Sequence, residues 1–200
     1  MDVMRLGAIF FSMVLVNNYV LVKFLGICPF LGVSKKLDSS VGMSAAVIFV
    51  MIMATAVTWP IDTYVLQAND LTYLRTITFI LVIASLVQLV EIILKKYIPG
   101  LYSSLGVYLP LITTNCAILG VALLNVESGY NFVESLIGSL GAGVGFMLAM
   151  VIFTGVRSRV EQANPPKSWK GLPITLAAAA LVALSFTGFG GIIESIFGAI

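Results

Sequence analysis

The spacing of charges governs what this chain can become. Charged residues divide it into six mostly apolar stretches: between Arg5 and Lys35 (interrupted by Lys23), between Asp38 and Asp62, over 71–94, between Lys96 and Glu127, between Glu134 and Arg157, and between Lys170 and Glu194. A helix crossing the hydrocarbon core of a bilayer needs about 20 such residues. Inside that core the backbone must satisfy its own hydrogen bonds, which a helix does without a neighbour. The spacing therefore predicts an all-α integral membrane protein with six transmembrane helices, forming a single membrane domain over 1–200. Composition agrees: 60% of residues are hydrophobic and 10% charged, against roughly 25% charged in a soluble domain. The mean hydropathy is +1.07. Membrane lipid is the expected surroundings. A net charge of +2 without any long basic run argues against a nucleic-acid partner. The first apolar stretch runs on through "NNYVLVKFLGIC" without a small-x-small cleavage site, so it is read as part of the fold rather than a signal peptide.

Orientation follows from the lysine and arginine bias. The connections after the first, third and fifth stretches carry Lys35, Lys36, Lys95, Lys96, Arg157, Arg159, Lys167 and Lys170. The opposite side has only Arg5 and Arg75, among Asp2, Asp62, Asp70, Glu127, Glu134 and Glu194. The basic connections are expected in the cytoplasm, with both termini on the other side.

Two phrases repeat. "CPFLGVS" (Cys28 to Ser34) and "CAILGVA" (Cys116 to Ala122) contain the only two cysteines of the chain, each followed at the same spacing by Leu-Gly-Val. Cys28 ends the first stretch and Cys116 lies in the fourth, three crossings later. An odd number of crossings reverses direction, so the copies are expected to run in opposite senses. That predicts two inverted three-helix repeats, about 1–96 and 97–200, with functional groups near mid-depth at broken helices. Segment length supports breakage. Residues 6–34 number 29 and residues 97–126 number 30. Straight helices of that size would reach about 44 Å, against a hydrocarbon core of roughly 30 Å. The first and fourth helices should be broken or strongly tilted. Pro29 and Pro110, with Gly26, Gly32, Gly106 and Gly120, lie beside the cysteines.

Polar residues gather at the same places: Asn17, Asn18 and Lys23 before Cys28, and Thr113, Thr114 and Asn115 before Cys116. Such residues either serve a function or repair the broken backbone and join helices. Lys23 can also snorkel to the interface. Asn17, Asn18, Lys23 and Glu91 are candidates for an ion pathway. For Glu91 the simpler role is an interfacial pair with Lys95, four residues on.

Two cysteines admit three chemistries. A disulfide conflicts with cytoplasmic exposure and membrane burial. Inert buried thiols are common, yet they do not account for a duplicated phrase. Thiolate ligation of a metal is the third, and two thiolates make half of a four-cysteine set. With no histidine in the chain, zinc lacks its usual mixed ligands, and histidine-dependent nucleophiles are excluded. There is no phosphate-binding glycine loop. Gly141 and Gly145 form GxxxG, read as close helix packing. Trp59 and Trp169 suit interfacial belts. Three readings fit at this point: an electron carrier, a purely structural component of an assembly, and a small inverted-repeat secondary transporter.

The wording of "LVNNYVLVKFLGICPFLGVSKK" and "LGVYLPLITTNCAILGVALLN", with "YLRTITFILVIASLVQLVE" and "GAGVGFMLAMVIFTGVRSRV", resembles one membrane-protein family across essentially the whole chain. This family supplies components to the Rnf complex, the bacterial ion-translocating ferredoxin:NAD+ oxidoreductase, and to the sodium-translocating NADH:quinone oxidoreductase. The wording is nearer the A-type subunit of the Rnf complex than the E-type subunit of the quinone reductase. The resemblance implies a bacterial inner-membrane location. It also implies a 2Fe–2S cluster shared with a paralogous E-type subunit of opposite orientation, two cysteines from each, here Cys28 and Cys116. It implies electron transport coupled to Na+ or H+ export, with the B, C, D and G subunits as further partners and the ferredoxin and NAD sites elsewhere in the complex. No flavin-attachment motif of the S/T-G-A-T kind occurs, so no flavin is expected on this chain. Around the cysteines, Phe30, Leu31, Gly32, Asn115, Ile118, Leu119 and Gly120 are the candidate surrounding shell. The amides of Phe30, Leu31, Ile118 and Leu119 are the expected hydrogen-bond donors to sulfur.

Overall fold

The computed structural model describes residues 3–34, 37–97, 111–112, 114–163, 166 and 168–197. Gly106, Pro110, Thr113, Asp2, Lys35, Lys36 and Lys167 lie outside the described residues, as does the side chain of Glu194. The described residues are helical, without strands. In chain order they form α1 (Val3–Phe11), α2 (Ile27–Val33), α3 (Leu37–Ile61), α4 (Arg75–Tyr97), α5 (Cys116–Glu127), α6 (Phe132–Gln162) and α7 (Leu172–Phe197). Two wider turns with i→i+5 bonding extend α1 over Ser12–Val16 and α3 over Asp62–Leu66. The second follows Pro60, whose missing amide ends regular α-helical bonding there.

Among the described residues, six apolar helices overlap the six stretches of the sequence. Among the described residues, Leu37–Leu66, Thr72–Ile93 and Phe132–Val160 are long and apolar enough to cross a membrane as single helices. Met4–Val16, Cys116–Glu127 and Leu172–Gly188 are shorter. Ile77, Ile80, Leu81 and Leu89 of α4, and Leu181 and Leu184 of α7, are exposed. Apolar side chains facing outwards are what a helix in lipid carries.

The core is built on α3 and α6. These helices are antiparallel: Ser40 bonds Thr154 at 2.9 Å near one end, and Thr55 bonds Ser139 at 2.6 Å near the other. Between them Gly143 lets Ile48 approach, where an added Cβ would lie 2.7 Å from its Cγ1. α1 and its wide turn lie on the GxxxG of α6. A Cβ at Gly141 would stand 2.9 Å from the Phe10 carbonyl oxygen, and one at Gly145 would be 3.1 Å from those of Met13 and Val14. The close packing read from that motif is present.

Charges sort to two ends. Arg5 pairs with Glu134, and Arg75 pairs with the fully buried Asp62 through Nε at 2.6 Å. Trp59 donates its indole N–H to the Tyr130 carbonyl at the same end. Asn131 and Glu134 close a capping box on α6. Arg157 belongs to the opposite end, with Ser34 and the start of α3. The Arg5 end therefore gathers described members of the acidic, arginine-poor set, as the charge bias predicts.

Candidate functional site

The first apolar stretch is broken, one of the two outcomes that its length allows. Helix stops at Val16, and Asn17 closes the wide turn with its amide on the Ser12 carbonyl. Asn18, fully buried, takes over the backbone groups that the break releases. Its Oδ1 accepts from the amides of Val20 and Leu21, and its Nδ2 donates to the carbonyls of Val14 and Gly145. These four bonds fill the capacity of a carboxamide, so Asn18 repairs backbone and stitches it to α6, with nothing left over for an ion. Asn17 Nδ2 bonds Ser12 Oγ. Lys23 is exposed, next to Phe24, which adopts a left-handed φ of 56°. Glu91 is half-buried on α4, and Lys95 beyond it is exposed.

Helix resumes after Gly26, whose φ of 80° is left-handed and suits glycine. Cys28 lies in the first turn of α2, and Cys116 is the first residue of α5. α2 leads to the Arg157 end and α5 to the Arg5 end, so the two short helices run from a common region in opposite directions. Their starts touch. A Cβ on Gly26 would meet Asn115 Oδ1 at 3.0 Å, Ala117 Cβ at 3.1 Å and Phe146 Cε2 at 3.2 Å. Leu25 presses on Gly120 in the same seam. Gly32 is more open, with Leu111 Cδ1 at 3.9 Å from an added Cβ.

Both cysteines are free and exposed, in contrast to the buried Phe30, Ala117 and Ile118 around them. The Cys116 thiol makes only a long contact, 3.9 Å, to the Thr114 carbonyl. Among the described residues, no three His, Cys, Asp or Glu side chains gather into a metal-holding group. The amides of Phe30 and Ile118 donate to the carbonyls of Gly26 and Asn115, at 3.3 and 3.1 Å. They serve the helix starts, while Leu31 and Leu119 lie inside their helices.

α2 is held from its far side. Phe30 stacks on Phe153 of α6, with ring centroids 4.2 Å apart. One turn further, Arg157 Nη1 donates to the Leu31 carbonyl at 2.7 Å and to Ser34 Oγ at 2.9 Å. A cation at a helix C-terminus satisfies terminal carbonyls and complements the helix dipole. No spacing rule joins residues this far apart in sequence, so Arg157 gave no site signal beyond its charge.

Residues 6–193 match the family model described as Rnf-Nqr subunit, membrane protein. The chain belongs to the Rnf-Nqr family. Among curated Rnf-Nqr relatives, the A subunit of the Na+-translocating ferredoxin:NAD+ oxidoreductase complex of Acetobacterium woodii is 55% identical, covering 94% of this chain and 98% of the relative. The A subunit of the ion-translocating oxidoreductase complex of Syntrophotalea carbinolica is 54% identical over 90% and 93% of the two chains. The protein of the same description from Serratia proteamaculans is 53% identical over 93% and 96%. These Rnf-Nqr relatives are subunits of an oxidoreductase complex, in keeping with the family resemblance of the two cysteine phrases.

The region also offers what a thiolate-held group requires. It has two outward-facing sulfurs, a seam at Gly26 that admits no side chain, and a buried polar nitrogen, Asn115 Nδ2, without a partner. Soft thiolates suit an iron–sulfur cluster, and two are half of its usual four.

Proposed function

We infer that this chain is the A-type membrane subunit of an ion-translocating ferredoxin:NAD+ oxidoreductase of the bacterial inner membrane. In this reading Cys28 and Cys116 supply two thiolate ligands of a 2Fe–2S cluster, and a paralogous E-type subunit of inverted orientation supplies two more. When bound, such a cluster accepts and returns single electrons, linking carriers on the two sides of the membrane. The B, C, D and G subunits complete the assembly, ferredoxin and NAD+ bind elsewhere in it, and electron flow drives export of Na+ or H+. The six apolar runs form two inverted halves, with both termini outside.

The observation that carries the reading is the outward exposure of both cysteines at the meeting of α2 and α5. A structural thiol in a membrane protein gains most by burial. These two are instead exposed on the chain that bears them, as ligands completed by a second chain must be. The residues around them keep that geometry. Asn18 absorbs the backbone freed by the break, and Phe30 and Arg157 fix α2 to α6. The start of α5 places its positive dipole end by Cys116.

The test is anaerobic purification of the complex containing this chain and its E-type partner, followed by iron analysis and EPR of the reduced protein. A 2Fe–2S signal is expected in the unmodified complex and should vanish in Cys28→Ser and Cys116→Ser variants. Retention of the full signal in both variants would refute the assignment.

A further inference from the structure

We propose that the Asn115 carboxamide is the side-chain hydrogen-bond donor to a sulfur of the group held by Cys28 and Cys116, and that it raises the reduction potential of that group. The proposal rests on the cysteine-ligand reading above and goes beyond it in assigning a separate residue the control of potential.

Asn115 precedes α5 in an extended conformation (φ −74°, ψ 110°) and caps it: Oδ1 accepts from the Ala117 amide at 3.0 Å. The same oxygen faces Gly26, as the 3.0 Å approach to an added Cβ there shows. One end of the carboxamide is thus fixed in the seam between the two cysteine turns. The other end, Nδ2, is buried and has no hydrogen-bond partner, in a residue only 5% exposed. Among the described residues this is the one buried side-chain nitrogen left unpartnered. Other asparagines of the chain place their NH2 groups: Asn18 on two carbonyls, Asn125 on the Ser135 carbonyl and Ser139 Oγ, and Asn17 on Ser12 Oγ.

Capping does not require that NH2 group. Serine, threonine or aspartate caps a helix through oxygen alone. A buried donor without an acceptor is destabilising, so its presence calls for an acceptor that the described residues do not supply. Sulfur is an acceptor chemistry that would supply one. Cys116 is the next residue, and Cys28 stands two residues beyond the Gly26 that touches Asn115. An N–H donated to a cluster sulfur stabilises the additional negative charge of the reduced state and so raises the potential.

Three measurements on the intact complex decide it. In Asn115→Ser the cap oxygen remains and the donor is gone. An EPR-monitored redox titration should give a lower midpoint potential, with iron content equal to that of the unmodified complex. In Asn115→Asp the carboxylate keeps the shape and the cap but replaces the donor by negative charge, and the midpoint should fall further. Midpoints equal to the parent's in iron-replete variants would overturn the proposal. In the unmodified complex, asparagine labelled with 15N in its side chain should give a weak hyperfine coupling to the reduced cluster. Absence of that coupling would overturn the proposal even if neither variant assembles. A complex whose iron signal survives loss of both cysteines would instead overturn the ligand reading, so the two failures are distinct.

Discussion

Replacing Gly26 by alanine tests the meeting of the two cysteine turns most directly. Two costs add. An L-residue held at φ 80° is disfavoured by about 1–2 kcal/mol. The added methyl would then stand 3.0–3.2 Å from Asn115 Oδ1, Ala117 Cβ and Phe146 Cε2. None of these yields easily: Asn115 is tied to the Ala117 amide, Ala117 has no rotamer to change, and Phe146 is fully buried. Overpacking of this kind costs about 1–3 kcal/mol. Reduced freedom of the unfolded chain returns about 0.4–1 kcal/mol. The net is roughly 1–4.5 kcal/mol, and its midpoint of about 3 kcal/mol corresponds, for a chain of this size, to a fall of about 10 °C in melting midpoint. Gly32→Ala is the control, because the new methyl there meets only Leu111 Cδ1 at 3.9 Å and the site is helical. That variant should match or slightly exceed the parent. Size-exclusion chromatography of a fluorescent fusion, heated within its complex in detergent, reads both midpoints. Equal midpoints for Gly26→Ala and Gly32→Ala would refute the close approach of α2 and α5 and the site built on it.

Other consequences are open to measurement. Arg157→Ala removes charge-assisted bonds to the Leu31 carbonyl and Ser34, at a cost of about 2–4 kcal/mol. Hydrogen exchange should accelerate over 31–34, with partial recovery in Arg157→Lys. Asn18→Ala leaves the buried Val20 and Leu21 amides without their acceptor and cuts the tie to the Gly145 carbonyl, so it should lower the yield of folded chain severely. Its effect should appear in folding rather than in the ion dependence of turnover, and a well-folded variant with altered ion affinity would contradict that. Both thiols should react with N-ethylmaleimide in membranes lacking the E-type partner and be protected in the assembled complex. Arg75→Leu strands the buried Asp62 carboxylate and should cost about 3–5 kcal/mol, with most of that loss recovered in the Asp62→Leu, Arg75→Leu double variant.

Much of the fold was legible before any coordinates. Charge spacing located the three membrane-length helices and the three shorter apolar ones of the described residues, because a charge in hydrocarbon is costly and each helix can satisfy its own backbone. GxxxG at Gly141 and Gly145 announced close packing because the absence of side chains has only a few physical uses inside a membrane. Excess length announced that the first stretch would break or tilt, and the structure shows the break. The partner of each polar residue did not follow. Asn17 and Asn18 look alike in sequence, yet one bonds a neighbouring serine while the other bridges to Gly145 on α6. Gly26 and Gly32 flank the same cysteine, yet only Gly26 stands where a methyl group cannot.

By itself the sequence determined the class, the number and place of the apolar runs, the family, and the pair of matched cysteine phrases. Those are local quantities, set by hydropathy over a window or by residues adjacent in the chain. The tertiary structure alone decided that the starts of α2 and α5 touch, that both thiols face outwards, that Arg157 grips the Cys28 helix, and that Asn115 keeps a buried donor unspent. The meeting of α2 and α5 and the grip of Arg157 depend on contacts between residues about 90 to 130 positions apart. Such contacts are set by how six apolar runs pack, and hydropathy is nearly blind to packing when every candidate surface is apolar.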